Sequence, residues 1–438
     1  MKPTCLLLFA ATLLLTTSAC RKSTPVKEVS VTASGIAISE HDMTSVAGQW
    51  AQWRGPHGNG VVDDQTIPTS WSSTENVRWS SDVPGRGHSS PIVVGGLVVL
   101  GTAMESESKQ MVVAYDQATG EKRWETVVHE GGFPNSRDVH QKATHANGTL
   151  ASDGNLLVTA HLNSDRIFVT ALDMNGEQVW QRDIGAFASK FGYAPSPILY
   201  KSFVIVAADN FGGGYLVALD LKTGEVAWRR KRGNANSYSS PAVATVGGVD
   251  QILITGNNSL SSYDPATGEP LWQTECISEA TCGTVITTPD RIVASGGYPE
   301  KETVCLSATG EKLWSNQTKA YEPSLITDGQ HVFAVSDSGI ATCWQLESGE
   351  EVWKKRIGGK FSSSPVLCNG TIYVADLSGN CYLFEASGEA YKQLQKNQLG
   401  NDCYASPAVV DGAMYFRVGV SQGPSRREKL YCIGDKVE

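Results

Sequence analysis

Five of the eight histidines fall between positions 88 and 161, at His88, His129, His140, His145 and His161. Imidazole titrates near neutrality and ligates borderline metals, so such a run is the first place to look for chemistry. Asp138 stands two residues before His140 and seven before His145, a spacing that could bring carboxylate and imidazole together on one loop as zinc or copper ligands. The same spacing fits loop residues that bond only backbone. That reading is adopted, so no metal is expected, with His140, His145 and Asp138 as the alternative. A second set is positional. His88, Tyr193, Tyr238, Tyr321, Phe361 and Tyr404 each stand two to four residues ahead of a proline that opens an apolar strand. Rings with an apolar face and a polar tip, gathered at one opening, suit recognition of a peptide or a sugar. Arg86, Lys142, Asn210, Asn236 and Glu322 would be their polar neighbours; the alternative is that the rings only pack between strands.

What positions these residues is a repeat. An acidic or polar residue, a short turn, Gly-Glu, two residues and an aromatic recur from Asp116 to Trp124, Asp173 to Trp180, Asp220 to Trp228, Asp264 to Trp272, Ser307 to Trp314, Gln345 to Trp353 and Glu385 to Tyr391. Between copies lies a small-small-Pro phrase followed by alternating aliphatics, as in Ser90-Pro91-Ile92 and Ser240-Pro241-Ala242. Period-two alternation broken by glycine turns reads as short antiparallel strands, four per unit, with the Trp on the last. Adjacent aromatics stand 38 to 56 residues apart, the spacing of propeller blades. Two fragments remain. The stretch from Ser406 to Ile433 supplies three strands with no Trp strand after it, and Asn76-Val77-Arg78-Trp79-Ser80 is a Trp strand with nothing before it. Joined, they make an eighth blade and remove the open sheet edges. The expected fold is therefore all-β, a single eight-bladed propeller of four-stranded antiparallel blades over residues 50–438, its last blade closed by an N-terminal strand. Trp79, Trp124, Trp180, Trp228, Trp272, Trp314 and Trp353 are its structural tryptophans. The Ser-Ser-Pro hydroxyls are expected to bond backbone at strand starts.

The phrase Ala-x-Asp, Thr-Gly-Glu and Trp resembles the repeat of the secreted pyrroloquinoline-quinone-repeat, or quinoprotein-like, propeller family, a repeat shared with the propeller lipoprotein of the outer-membrane barrel-assembly machinery. The likeness spans about residues 50–433. Trp50-Ala51-Gln52-Trp53-Arg54-Gly55-Pro56 and the segment from His140 to Asn147 are similar to the planctomycete-type members. In the family's dehydrogenases the resemblance would imply a vicinal disulfide, a Trp beneath the cofactor, a calcium site and an Asp base. No Cys-Cys pair occurs here, so no cofactor is expected; pyrroloquinoline quinone with calcium, or a metal-dependent oxidoreductase, stays as the alternative.

Residues 1–20 read as an export signal: Lys2, an apolar run from Leu6 to Leu15, then Thr16-Thr17-Ser18-Ala19-Cys20. The run is too short to span a bilayer. Its end resembles a lipobox in which Cys20 is lipidated, although Thr17 departs from the usual aliphatic residue; simple secretion is the other outcome. Residues 21–49 read as a flexible tether. Past Cys20, cysteine first returns at Cys276. Cys276 and Cys282 share one connection and are the pair expected to bridge. Cys305, Cys343 and Cys432 hold the repeat position of Ala171 and Ala218, as small packing residues. A net charge of −9 with basic clusters only at Arg229–Arg232 and Arg426-Arg427 excludes a nucleic-acid role. Together these readings predict an exported, lipid-anchored, monomeric binding or scaffold propeller of the periplasm or outer membrane. Its partner would be an envelope protein, peptide or polysaccharide held by channel-mouth loops, with membrane contact only through the lipid.

Overall fold

A computed structural model describes residues 32–33, 35–41, 43, 46–423 and 425–435. The export signal, Cys20 and the first part of the tether lie outside the described residues. Eight sheets form the ring. In chain order, blades 1 to 7 take residues 92–130, 151–186, 198–231, 242–275, 286–316, 326–356 and 366–398. Blade 8 joins the two ends: Val77–Val83 lies antiparallel to Ser425–Ile433, with Trp79 opposite Cys432. The complementary fragments expected from the sequence thus close a single ring. Two blades carry a fifth strand that the sequence does not signal. Thr32–Ala33 adds to the outer edge of blade 3 and Val61–Val62 runs parallel to the inner strand of blade 7.

Each blade is apolar on both faces, so its core lies against the neighbouring blades rather than in one centre. The repeat phrase is the device that locks these interfaces. The Trp of one blade lies over the Gly-Glu turn of the next, and its indole N–H donates to a carbonyl in that turn: Trp79 to Gln117, Trp124 to Met174 and Trp314 to Leu346, at 3.0, 3.0 and 2.8 Å. Trp272 departs by donating to the Gln251 side chain at 2.9 Å. The turn glycine is required twice. Gly268 has φ +71°, and a Cβ there would sit 2.5 Å from Trp228 Cε3. Beneath each ring the facing strand needs a small residue. Ala114, Ala171, Ala218, Cys305, Cys343 and Cys432 stand opposite Trp124, Trp180, Trp228, Trp314, Trp353 and Trp79, and all six are fully buried. That is why cysteine replaces alanine at this position without pairing.

All eight cysteines of the propeller are free thiols, which corrects the expected Cys276–Cys282 bridge. The connection they share turns between two environments. Cys276 is packed among Leu260, Val285 and Ile292 between blades 4 and 5, while Cys282 faces the channel. Part of the segment expected as a tether packs on the ring. Met43 and Val46 pack on blades 1 and 2, the Ser39 amide donates to Ser202, and His41 Nε2 lies 2.7 Å from the Asp153 carboxylate. Apolar residues spaced along this polar stretch find grooves between blades, a pattern too irregular to read as a strand.

Candidate binding site at the channel mouth

Around the channel, the inner strand of each blade begins at a Ser or Thr, and in seven of the eight blades its hydroxyl accepts the backbone N–H of its neighbour. The Ser90 amide donates to Thr149, Thr149 to Ser196, Ser196 to Ser240, Thr284 to Ser324, Ser324 to Ser364, Ser364 to Ser406 and Ser406 back to Ser90, at 2.8–3.1 Å. The serines were expected to bond backbone at strand starts, and they do so between blades. Between Ser240 and Thr284 another donor intervenes: Trp53 Nε1 bonds the Thr284 hydroxyl at 2.9 Å.

Trp53 belongs to a strap that crosses the lower face of the ring. Trp50 pairs with Val93, the Ser152 amide donates to Ala51, and Arg54 Nη2 reaches the Leu325 carbonyl at 2.7 Å. The strap therefore touches blades 1, 2, 5 and 6 before Val61–Val62 joins blade 7. Its indole closes the channel from below, leaving a cavity of about 630 Å³ open at the upper face.

Of the expected collar, His88, Tyr238, Tyr321 and Tyr404 line this cavity, with Lys142, Asn236 and Glu322 beside them. Tyr193 and Phe361 do not. Both are buried inside the blades, where Tyr193 donates its hydroxyl to the Ala207 carbonyl at 3.0 Å and Phe361 packs against Tyr382. Each stands four residues before its proline, not two or three, and the extra residue turns the ring outward into the interblade core. Asn210 is also internal, capping the turn at Gly212, and Arg86 lies outside the cavity wall with its backbone paired to Ala103. Residues not anticipated complete the wall: Trp53, Lys190, Phe191, Phe211 and Tyr298. None occupies a repeated position, so the repeat gave no signal for them; two tryptophans three apart in a Gly- and Pro-rich segment, Trp50 and Trp53, was the available hint.

The wall is tied together. His88 stacks on Tyr404 with ring centres 4.1 Å apart. Lys142 Nζ lies 2.6 Å from Glu322 Oε1, and the Ser362 hydroxyl donates to the other carboxylate oxygen. Asn236 donates to the Tyr238 hydroxyl at 3.2 Å and accepts the Phe211 amide at 3.1 Å. Burial, then Arg86 and Arg417, holds the His88 pKa well below its ordinary value. Burial raises Tyr238, Tyr321 and Tyr404, and raises Cys282 with help from Glu322. Burial opposes the charge on Lys142, but its Glu322 partner outweighs that and raises its pKa. At neutral pH these phenols, this thiol and this imidazole are neutral hydrogen-bonding groups, and the ammonium is spoken for. Such a wall recognises; these members are not poised to move protons.

The remaining histidines separate. His140 lines the mouth against Phe191, His145 stacks on Phe133, and among the described residues no group of three or more His, Cys, Asp or Glu could hold a metal. His140 and His145 thus face different aromatic neighbours, Phe191 and Phe133. Gly419-Val420-Ser421-Gln422-Gly423 has the spacing of a nucleophile elbow, which sequence reading missed, but Ser421 pairs with Arg426 in a hairpin, with no helix after it.

His129 and His161 lie between blades 1 and 2, ring centres 6.1 Å apart beside Phe168. Burial lowers His129 to about 4; burial, then His129, lowers His161 to about 3. Both fall below the ordinary 6.5 of an unfolded chain, so the unfolded state binds more protons over that window. Stability is whole above pH 6.5 and drains as pH falls toward 4 and then 3. Thermal melts should show a larger drop from pH 7.5 to 5 for the native chain than for a His129→Phe/His161→Phe variant; parallel drops would refute the assignment.

The ring, its end-to-end closure and its repeated Trp-on-turn contacts define an eight-bladed propeller of the quinoprotein-repeat type, with a channel sealed at one end. The family model described as outer membrane protein assembly factor BamB matches residues 60–146, 108–355 and 299–395. The chain belongs to that family. It is similar to the outer membrane protein assembly factor BamB of Burkholderia pseudomallei, 24% identical over 383 residues that cover 74% of this chain and 93% of the relative. The BamB of Yersinia pestis is 24% identical over 322 residues, covering 70% and 76%. Among solved structures, BamB from Moraxella catarrhalis superposes with a TM-score of 0.60 at 14% identity, covering 83% of this chain and 98% of that one. The quinohemoprotein alcohol dehydrogenase of Comamonas testosteroni gives 0.61 at 12%, covering 90% and 82%. Both structural likenesses concern the fold alone.

Proposed function

We propose that this chain is a non-catalytic binding propeller of the cell envelope that engages a protein partner through its channel mouth, in outer-membrane assembly as its family's name describes. The observation that carries the reading is the mouth itself: an aromatic-walled cavity, sealed below, whose thiol, phenols and His88 are held neutral. Family membership supports an assembly role over oxidation. Export and a lipid anchor at Cys20 would place the propeller at the membrane, consistent with the relatives' names. No helix of the described residues is long and apolar enough to cross it.

The test is photo-crosslinking in the native envelope from a probe residue at Phe211, followed by mass spectrometry. An envelope protein captured by the native surface, and lost when Phe191 and Tyr298 are changed to serine, is the expected result. Equal capture by both, or alcohol oxidation that appears on adding quinone and calcium, would overturn it.

A further inference from the structure

We propose that the channel is a blind socket for the turn of a partner's loop, one that presents an aromatic side chain next to a carboxylate. This rests on the protein-binding reading above and specifies what enters the site. The floor sets the mode of entry. Trp53 is held to Thr284, and the strap on either side of it is pinned by the Ala51 and Arg54 bonds across the axis. A strand that entered could not leave at the far face, so what fits is a reversal of chain direction rather than a threaded segment. The volume agrees: about 630 Å³ is in the range of sites that swallow a small ligand, room for a few side chains and not for a folded element.

The rim sets the chemistry. Phe191, Phe211 and Tyr298 leave 41%, 44% and 66% of their surface in water around one opening. Clustered exposed rings mark contact surfaces, and rings pair best with rings. Between two of them sits an ammonium: Lys190 Nζ is 5.3 Å from the Phe191 centre and 5.2 Å from that of Phe211. Lys142 is matched by Glu322, whereas Lys190 has no carboxylate partner among the described residues. Lys319, the third lysine of the lining, donates to the Gly297 carbonyl, so a carboxylate arriving beside Phe191 and Phe211 would be the counterion of Lys190.

The probes are two fluorescein-labelled β-hairpin peptides that differ only at the turn, one bearing Phe-Asp and the other Ser-Lys, titrated against the full propeller by anisotropy. The Phe-Asp hairpin should bind at least about ten-fold more tightly, and Lys190→Glu, a change at an exposed side chain, should remove about ten-fold of that preference. A benzophenone replacing the Phe should crosslink to the cavity wall, Trp53 included. Equal affinity for both turns, crosslinks confined to the outer strands, or binding of a hexasaccharide that the hairpin does not displace would each overturn the proposal. If the envelope crosslinking succeeds while the two hairpins bind alike, the socket alone fails; if no protein is captured at the mouth, the parent reading fails with it.

Discussion

Trp228→Ala is expected to lower stability by about 3–5 kcal/mol, read as a shifted denaturant midpoint with an unchanged slope. The indole is almost fully buried, lies over the Gly268 turn, and donates to the Pro265 carbonyl at 3.3 Å, so its loss opens a cavity and strands a carbonyl together. The partner change separates packing from backbone. Gly268→Ala places a Cβ 2.5 Å from Cε3 in a residue with φ +71°, so it carries both a clash and a left-handed penalty of about 1–2 kcal/mol. In the Trp228→Ala background the clash disappears and only the backbone penalty remains. The double variant should therefore be more stable than the sum of the two singles predicts. Strict additivity, within about 0.5 kcal/mol, would mean that ring and turn do not touch in solution.

The same contact explains what the sequence could and could not reveal. Ring, turn and small facing residue recur because every interface must solve one packing problem, so the blades, their number and the pairing of Trp79 with Cys432 were legible in the repeat. The site was legible only where it inherits the repeat's geometry. His88, Tyr238 and Tyr404 stand three residues before their prolines and Tyr321 two, and all four reach the lumen. Tyr193 and Phe361 have one more residue in the connection and turn into the blades. The floor is different in kind. Trp53 reaches Thr284 across 231 positions of sequence, on a strap with no strand periodicity, and nothing local reports such a contact. Among the cysteines, Cys305, Cys343 and Cys432 were legible as packing residues because a thiol has the size that an indole leaves free, whereas Cys276 and Cys282 mislead: they share one connection, yet one packs between blades and the other faces the channel.

Closure of the ring also depends on a buried charge, and Glu428→Ala is expected to cost about 3–5 kcal/mol. Arg417 and Glu428 sit on neighbouring strands of blade 8, each with about 1% of its side chain exposed, and form a salt bridge. Arg417 also donates to the Gly101 carbonyl at 2.6 Å and lies 3.2 Å from the Thr102 hydroxyl, both in blade 1, while Glu428 accepts the Gly87 amide at 3.2 Å. The pair thus fastens the blade assembled from both chain ends to the blade that follows it. Burial depresses the pKa of Arg417 even though Glu428 raises it, the mark of a cation that relies on its partner. Removing the carboxylate leaves that guanidinium desolvated and uncompensated. Replacing both, as Arg417→Met with Glu428→Leu, removes the charge instead, and buried pairs exchanged for apolar residues are often no less stable. The double variant should recover most of the single variant's loss in the melt but fray first at the chain ends in hydrogen exchange, because the Gly101 and Gly87 bonds across the seam go with the pair. If Glu428→Ala melts within about 1 kcal/mol of the native chain, water reaches the seam and the ring is held shut by strand pairing alone.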